Sequence, residues 1–190
     1  MKKSKIVTIL VASALLTMSL AATSFAALGD KEIDFGLGFA TEAFSGSGTG
    51  LNLSVGGGYE LLKISAIKGG TLQVRGDIAY NRWSDSAFGS DLTFTRVPVS
   101  GAARLYVPVA SQLRVFGEAG LEISFDSVDV PVPTFFGFDK RSADETNVGL
   151  LFGGGVEYSL APNVFLNGAL RIHAIDNSYL NASAGIGFKF

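Results

Sequence analysis

The stretch 177–190 reads Asn177-Ser178-Tyr179-Leu180-Asn181-Ala182-Ser183-Ala184-Gly185-Ile186-Gly187-Phe188-Lys189-Phe190. Leu180, Ala182, Ala184, Ile186, Phe188 and Phe190 take one face; Tyr179, Asn181, Ser183, Gly185, Gly187 and Lys189 take the other. A period of two predicts a strand held between two unlike environments. The strand runs to the final aromatic residue with no tail after it.

The same alternation recurs upstream. It predicts eight strands, at 32–42, 51–62, 71–83, 92–107, 113–126, 147–160, 164–175 and 178–190, each 11 to 16 residues long. Soluble strands average about five or six residues, whereas about 9–11 are needed to cross a bilayer at a tilt. The connections alternate in character. Those at 43–50, 84–91 and the long 127–146 are rich in Ser, Gly and acid, whereas 108–112 and 161–163 are tight and contain proline. Long loops at one end and short turns at the other fit a barrel. The segments 63–70 and 176–177 fit that pattern less well, the first long and the second very short. No repeat, low-complexity tract or linker interrupts the pattern, and no hydrophilic carboxy-terminal domain follows it.

Alternation alone does not say which face meets lipid, because a soluble ligand-carrying barrel shows the same period. The chemistry of the two faces decides. One face carries Ile33, Phe35, Leu37, Phe39, Leu51, Leu53, Val74, Ile78, Val97, Val99, Leu121, Ile123, Phe125, Leu150, Phe152, Val156, Leu166, Leu170 and Ile172, with no charge within a strand core. The other carries six acids (Asp34, Glu60, Asp77, Glu118, Glu122, Glu157) and six bases (Arg75, Arg96, Arg104, Arg114, Arg171, Lys189). Inside a narrow barrel an unpaired charge costs several kcal/mol, so the balance predicts a paired, structural charge network lining the lumen. That face also holds Gly36, Gly38, Gly56, Gly58, Gly120, Gly149, Gly153, Gly155, Gly185 and Gly187. Glycine weakens a strand unless something must approach closely, and arginines crossing a small lumen supply that need. Tyr59, Tyr80, Trp83, Tyr106, Tyr158, Tyr179, Phe188 and Phe190 lie near strand ends, where an interfacial aromatic girdle is expected.

The amino-terminus supports an exported chain. Met1-Lys2-Lys3-Ser4-Lys5 is basic, 6–20 is largely apolar, and Ser24-Phe25-Ala26 places small residues before a cleavage site. This predicts a signal peptide over 1–26, removed near Ala26, leaving a barrel domain over 27–190. The chain contains no Cys, which excludes a lipid-anchored cysteine and any disulfide. Removing three lysines with the leader leaves twelve bases against seventeen acids, a net charge of −5 that argues against nucleic acid as a partner. Charged residues are 17% of the chain, below the usual quarter or so.

The 27–190 region resembles the small eight-stranded outer-membrane barrels of the OmpA transmembrane-domain and OmpX type. The carriers are the leader, the strand Arg96-Val97-Pro98-Val99-Ser100-Gly101-Ala102-Ala103-Arg104-Leu105-Tyr106 followed by Val107-Pro108, the strand Phe116-Gly117-Glu118-Ala119-Gly120-Leu121, and the ending Gly185-Ile186-Gly187-Phe188-Lys189-Phe190. The resemblance implies an all-β, eight-stranded antiparallel up-and-down transmembrane barrel, in the outer membrane of a Gram-negative bacterium with both ends in the periplasm. It implies that Phe188 and Phe190 form a barrel-insertion signal. It also implies partners in outer-membrane lipid and lipopolysaccharide, periplasmic chaperones and the insertion machinery.

Eight strands enclose a lumen that side chains can fill, so ion pairs across it predict a plugged monomer that is structural or presents its outer loops for surface interaction. A narrow channel and, behind it, a lipid A-modifying enzyme are the alternatives. Some barrels of this resemblance are lipid A deacylases with a His-x-Ser pair near the carboxy-terminus. The one histidine, His173, has Ile175 where that nucleophile would stand, and by parity it faces the lumen. A base with nothing to activate is not a catalyst, so no enzyme, cofactor or metal site is expected. Glu118 and Glu122 lie on one face about 13 Å apart along the strand, too far for an acid–base couple, and pairing with Arg104 or Arg114 is expected instead. Glu42, Asp85, Asp91, Asp126, Asp129, Asp139, Asp144, Glu145 and Asp176 against Arg82, Lys140 and Arg141 predict an acidic outer rim, either solvated or bridged to lipopolysaccharide by divalent cations. Val130, Phe135, Phe136 and Phe138 make the long loop unusually apolar; they are candidate contact residues, or else they extend the sheet beyond the membrane or fold over the barrel mouth.

Overall fold

The computed structural model describes residues 30–42, 48–87, 90–134 and 137–190; the expected leader and its cleavage site lie outside the described residues. Eight strands follow in chain order: β1 (Lys31–Glu42), β2 (Thr49–Ile64), β3 (Gly70–Ala87), β4 (Ser90–Pro108), β5 (Leu113–Thr134), β6 (Gly137–Ala161), β7 (Val164–Ala174) and β8 (Tyr179–Lys189). Each pairs antiparallel with its neighbours, and β1 pairs with β8 to close the barrel.

That closing seam runs from Glu32↔Lys189 to Glu42↔Tyr179. Lys31 and Phe190 extend it by donating to each other's carbonyls at 3.1 and 2.9 Å. The terminal residue is thus part of the ladder, and closure leaves the barrel body without the unpaired edges that make open sheets prone to association.

The two faces sort as the alternation predicts. Leu37, Phe39, Leu121, Val148, Phe152 and Leu170 are exposed on the outside, while Arg75, Asp77, Arg96, Arg104, Glu122 and Glu157 are buried inside. An apolar outer belt around a charged interior inverts the plan of a soluble protein.

Two segments expected to be loops are strands. Residues 127–134 and 137–146 pair as an extended hairpin, from Ser127↔Asp144 to Thr134↔Gly137, making β5 22 and β6 25 residues long. Val128, Val130 and Val132 alternate with Ser127, Asp129 and Pro131, a β-branched period of two that continues the strand. Pro131 and Pro133 lie beyond the last β4 pair, Thr93↔Asp129, where an open edge tolerates residues without an N–H. Likewise β3 and β4 pair out to Ala87↔Ser90 in the segment read as the loop 84–91. The very short connection after β7 is explained by Asn177, which takes a left-handed φ of 59° that asparagine tolerates better than most residues.

The aromatic girdle needs correction. Tyr80, Tyr158, Phe188 and Phe190 are exposed and Tyr59 is half-buried, but Trp83, Tyr106 and Tyr179 are buried in the lumen. They share parity with Asn81, Arg104 and Asn181, and parity prevails over residue type. Inside, Trp83 packs with Ala40, Ile175 and Tyr179 at the end where β1 finishes. Tyr106 meets Phe116 edge-on at 5.5 Å toward the other end.

Candidate functional site: the charged lumen and the long hairpin

Three tiers of polar side chains fill the lumen. In the tier nearest Lys31 and Phe190, Arg114 pairs with Glu157 at 2.7 Å and with Glu60 at 3.3 Å. Lys189 reaches the same Glu157 oxygen at 2.6 Å. The Arg114 guanidinium lies 4.0 Å from the Tyr106 ring centre, and the Tyr106 hydroxyl donates to Glu32 Oε1 at 3.2 Å.

In the middle tier Arg75 is held by Asp77, by Asp34 at 2.9 Å and by Glu32 at 3.6 Å. Arg104 donates through Nε and Nη2 to Glu118 Oε2, at 3.0 and 2.7 Å. Arg171 donates to Glu118 Oε1 at 2.6 Å and reaches Asp77 at 3.4 Å, joining the two clusters into one network. Two glycines make the crossing possible. Gly153 lies in one row between Glu118 and Arg171, where a Cβ would stand 3.0 Å from both side chains. At Gly56 a Cβ would collide with the Arg75–Asp77 pair.

In the outer tier Arg96 forks onto Asp126 at 2.8 and 2.7 Å. The same guanidinium donates to the carbonyls of Asn177 at 2.9 Å and Asp176 at 3.1 Å, drawing the β7–β8 turn over the lumen. Glu122 Oε2 stands 2.5 Å from His173 Nδ1, and the imidazole stacks on Tyr179 at 4.1 Å. Asn52 donates to Asn81 at 2.6 Å, and Asn147 to Asp126 at 3.1 Å.

Each of the twelve charged residues picked out for the lumen is paired within one of these tiers. Two more acids belong with them, Glu32 and Asp126, both buried. Parity would have found them: Glu32 precedes Asp34 by two, and Asp126 follows Glu122 by four. Asp126 is not part of the acidic rim that the sequence predicts: it points inward because β5 continues past it. The partner expected for Glu122 is also corrected, since His173 takes the place of an arginine. The polar cavity lined by Asp34, Ser54, Asn167, Arg171 and Ser183 has room for about one water molecule.

Among the described residues, no group of three or more His, Cys, Asp or Glu could hold a metal ion. Phe135 and Phe136 lie outside the described residues. The backbones of Val130 and Phe138 are placed near the tip of the β5–β6 hairpin, opposite Arg141 and Pro133. Phe188, paired with Ile33 and Val164, and Phe190 face outward at the opposite end.

A family model for the outer membrane protein beta-barrel domain matches residues 8–190. No curated protein matches the sequence significantly. Among solved structures, Ail, the attachment invasion locus protein of Yersinia pestis, shares 15% identity at a TM-score of 0.59, covering 86% of this chain and 99% of that one. Neisserial surface protein A shares 23% at 0.57, covering 85% and 96%. The outer membrane enzyme PagL shares 11% at 0.50, covering 82% and 97%. These likenesses establish the fold; surface proteins and an enzyme share it, so the side chains must decide the function.

Proposed function

The chain belongs to the outer membrane protein β-barrel domain family, and on that premise we propose that it is a closed, non-enzymatic barrel that supports the Gram-negative envelope and presents its long outer hairpin at the cell surface. Export with cleavage near Ala26, handling by periplasmic chaperones, and insertion read from Phe188 and Phe190 belong to the same reading. So does contact with lipopolysaccharide around the outer apolar belt.

The observation that carries this reading is the continuity of the lumen network. Arg171 reaches from β7 to Glu118 on β5 and Asp77 on β3, carboxylates it shares with Arg104 and Arg75, and Arg96 ties the β7–β8 turn over the outer end. Opening a conducting path means separating buried ion pairs, at about 3–5 kcal/mol for each partner left unpaired. Planar-bilayer recording of the purified mature barrel tests this. A baseline without steady conductance steps is expected, and stable large steps would establish the channel reading instead.

The side chains give little support to catalysis on lipid. His173 is buried, oriented by Glu122 and stacked on Tyr179 inside the lumen. An acyl chain in the outer leaflet meets the opposite face of β7. Mass spectra of lipid A from cells with and without the protein should therefore be identical.

A further inference from the structure

The long hairpin has an edge that the barrel does not use. β6 pairs with β5 along its whole outer part, but its pairing with β7 begins only at Leu150↔Ala174. Residues 137–149 therefore carry a row of backbone donors and acceptors with no strand on that side among the described residues. Of these, 137–147 stand beyond the apolar belt, whose last member on this strand is the exposed Val148. A free edge of this length is a template for adding another strand.

We propose that this edge pairs with the same edge of a second copy held in an apposed membrane. β6 enters its own membrane from outside, so two copies in one membrane run parallel, whereas copies in facing membranes run antiparallel. Successive residues turn their peptide groups to opposite edges, so an edge that pairs with itself antiparallel must be centred on a residue. The sequence here is Gly137-Phe138-Asp139-Lys140-Arg141-Ser142-Ala143-Asp144-Glu145-Thr146-Asn147-Val148-Gly149. Centring on Asp139, Lys140, Arg141, Asp144 or Glu145 sets a charge against itself, and centring on Ser142 sets Asp139 against Glu145.

Only Ala143 among 139–145 leaves no like charges opposed. In that register Arg141 meets Glu145 of the second copy and Phe138 meets its Val148, each twice by symmetry. Charges on an open edge usually guard against association; here their order admits one partner. In-register parallel pairing within one membrane would set each charge beside its own copy. Val148 of each copy then lies ten residues along the strand from Val148 of the other, so at about 3.3 Å per residue the two apolar belts would be held roughly 33 Å apart. The inference rests on the hairpin being the surface-contact element, and it names the partner.

The test uses the mature barrel in phosphatidylcholine vesicles, with vesicle docking followed by light scattering and correct folding checked by heat-modifiable gel mobility. Wild-type vesicles should dock, and do so more weakly at high salt. R141E and E145R should each lower self-docking at least tenfold, because each sets two like charges opposite one another. Mixing R141E vesicles with E145R vesicles should restore docking to within about twofold, since every pair is then again of opposite sign. Wild-type vesicles that fail to dock would overturn the pairing, as would a mixture that stays apart. Docking unaffected by either reversal would overturn it too, while leaving the hairpin as a contact element for another partner. None of these results touches the closed lumen, which the conductance recording tests separately.

Discussion

Arg171 on β7 reaches Glu118 on β5 at 2.6 Å by passing over Gly153, the residue of β6 that lies in the row between them. Glu118 also accepts Arg104 from β4, so one carboxylate binds strands on both sides of it. Beside the small apolar cluster around Trp83, crossings of this kind take the place of a hydrophobic core.

Removing that carboxylate should be the most damaging single change in the lumen. Glu118→Ala leaves two buried guanidinium groups without their main partner, a loss of about 3–5 kcal/mol. Glu118→Gln keeps the shape and some hydrogen bonding and should cost less. Urea unfolding of the vesicle-inserted barrel, followed by gel mobility, gives both values. Equal stability of Glu118→Ala and wild type would remove the network from the account.

Space is as necessary as charge. At Gly153 a Cβ would lie 2.9 Å from the Leu170 carbonyl and 3.0 Å from both Arg171 and Glu118. Gly153→Val should cost about 1–3 kcal/mol through overpacking. Gly117, whose Cβ would meet nothing within 4 Å, is the control. The valine variant there should unfold within about 0.5 kcal/mol of wild type, as a substitution in open space should.

Much of this was legible from alternation. Arg75, Asp77, Arg104, Glu118 and Arg171 announce themselves as charges recurring in phase with glycines, between residues that only lipid would tolerate. The pairings were not legible, because who faces whom depends on the stagger between strands. Glu122 could be assigned to the lumen but not to His173, 51 residues away. For Trp83, Tyr106 and Tyr179 residue type points to the membrane interface while parity points to the lumen, and parity is the stronger signal. For the long hairpin the sequence leaves loop and extended sheet as alternatives, because Pro131 and Pro133 look like strand breakers until the open edge beside them is seen.

Arg96 should act as a latch on the outer end. Lysine in its place keeps the charge but cannot fork onto Asp126 while also donating to two carbonyls. Amide hydrogen exchange across 175–178 should quicken in Arg96→Lys, with the β1–β8 seam unchanged. Exchange rates identical to wild type would mean that the turn holds itself.

His173 should prove to be a structural partner. His173→Ala leaves the buried Glu122 carboxylate without its 2.5 Å contact, while changing both residues, in His173→Leu with Glu122→Met, removes the unpaired group. The single variant should be less stable than the double one, since an orphaned buried charge costs more than a pair replaced by apolar side chains. A double variant less stable than the single would instead show the pair to be strongly favourable in itself.

The face assignment underlies all of this, and lipid-borne quenching reads it most directly. Trp83 is the chain's one tryptophan, so a Trp83→Phe background lets a single reporter be placed at either Phe116, buried in the lumen, or Phe152, exposed outside. In bilayers of brominated phospholipid, Phe152→Trp should lose most of its fluorescence and Phe116→Trp should keep most of it. Strong quenching of Phe116→Trp beside a bright Phe152→Trp would place the charged face toward the acyl chains and contradict the account.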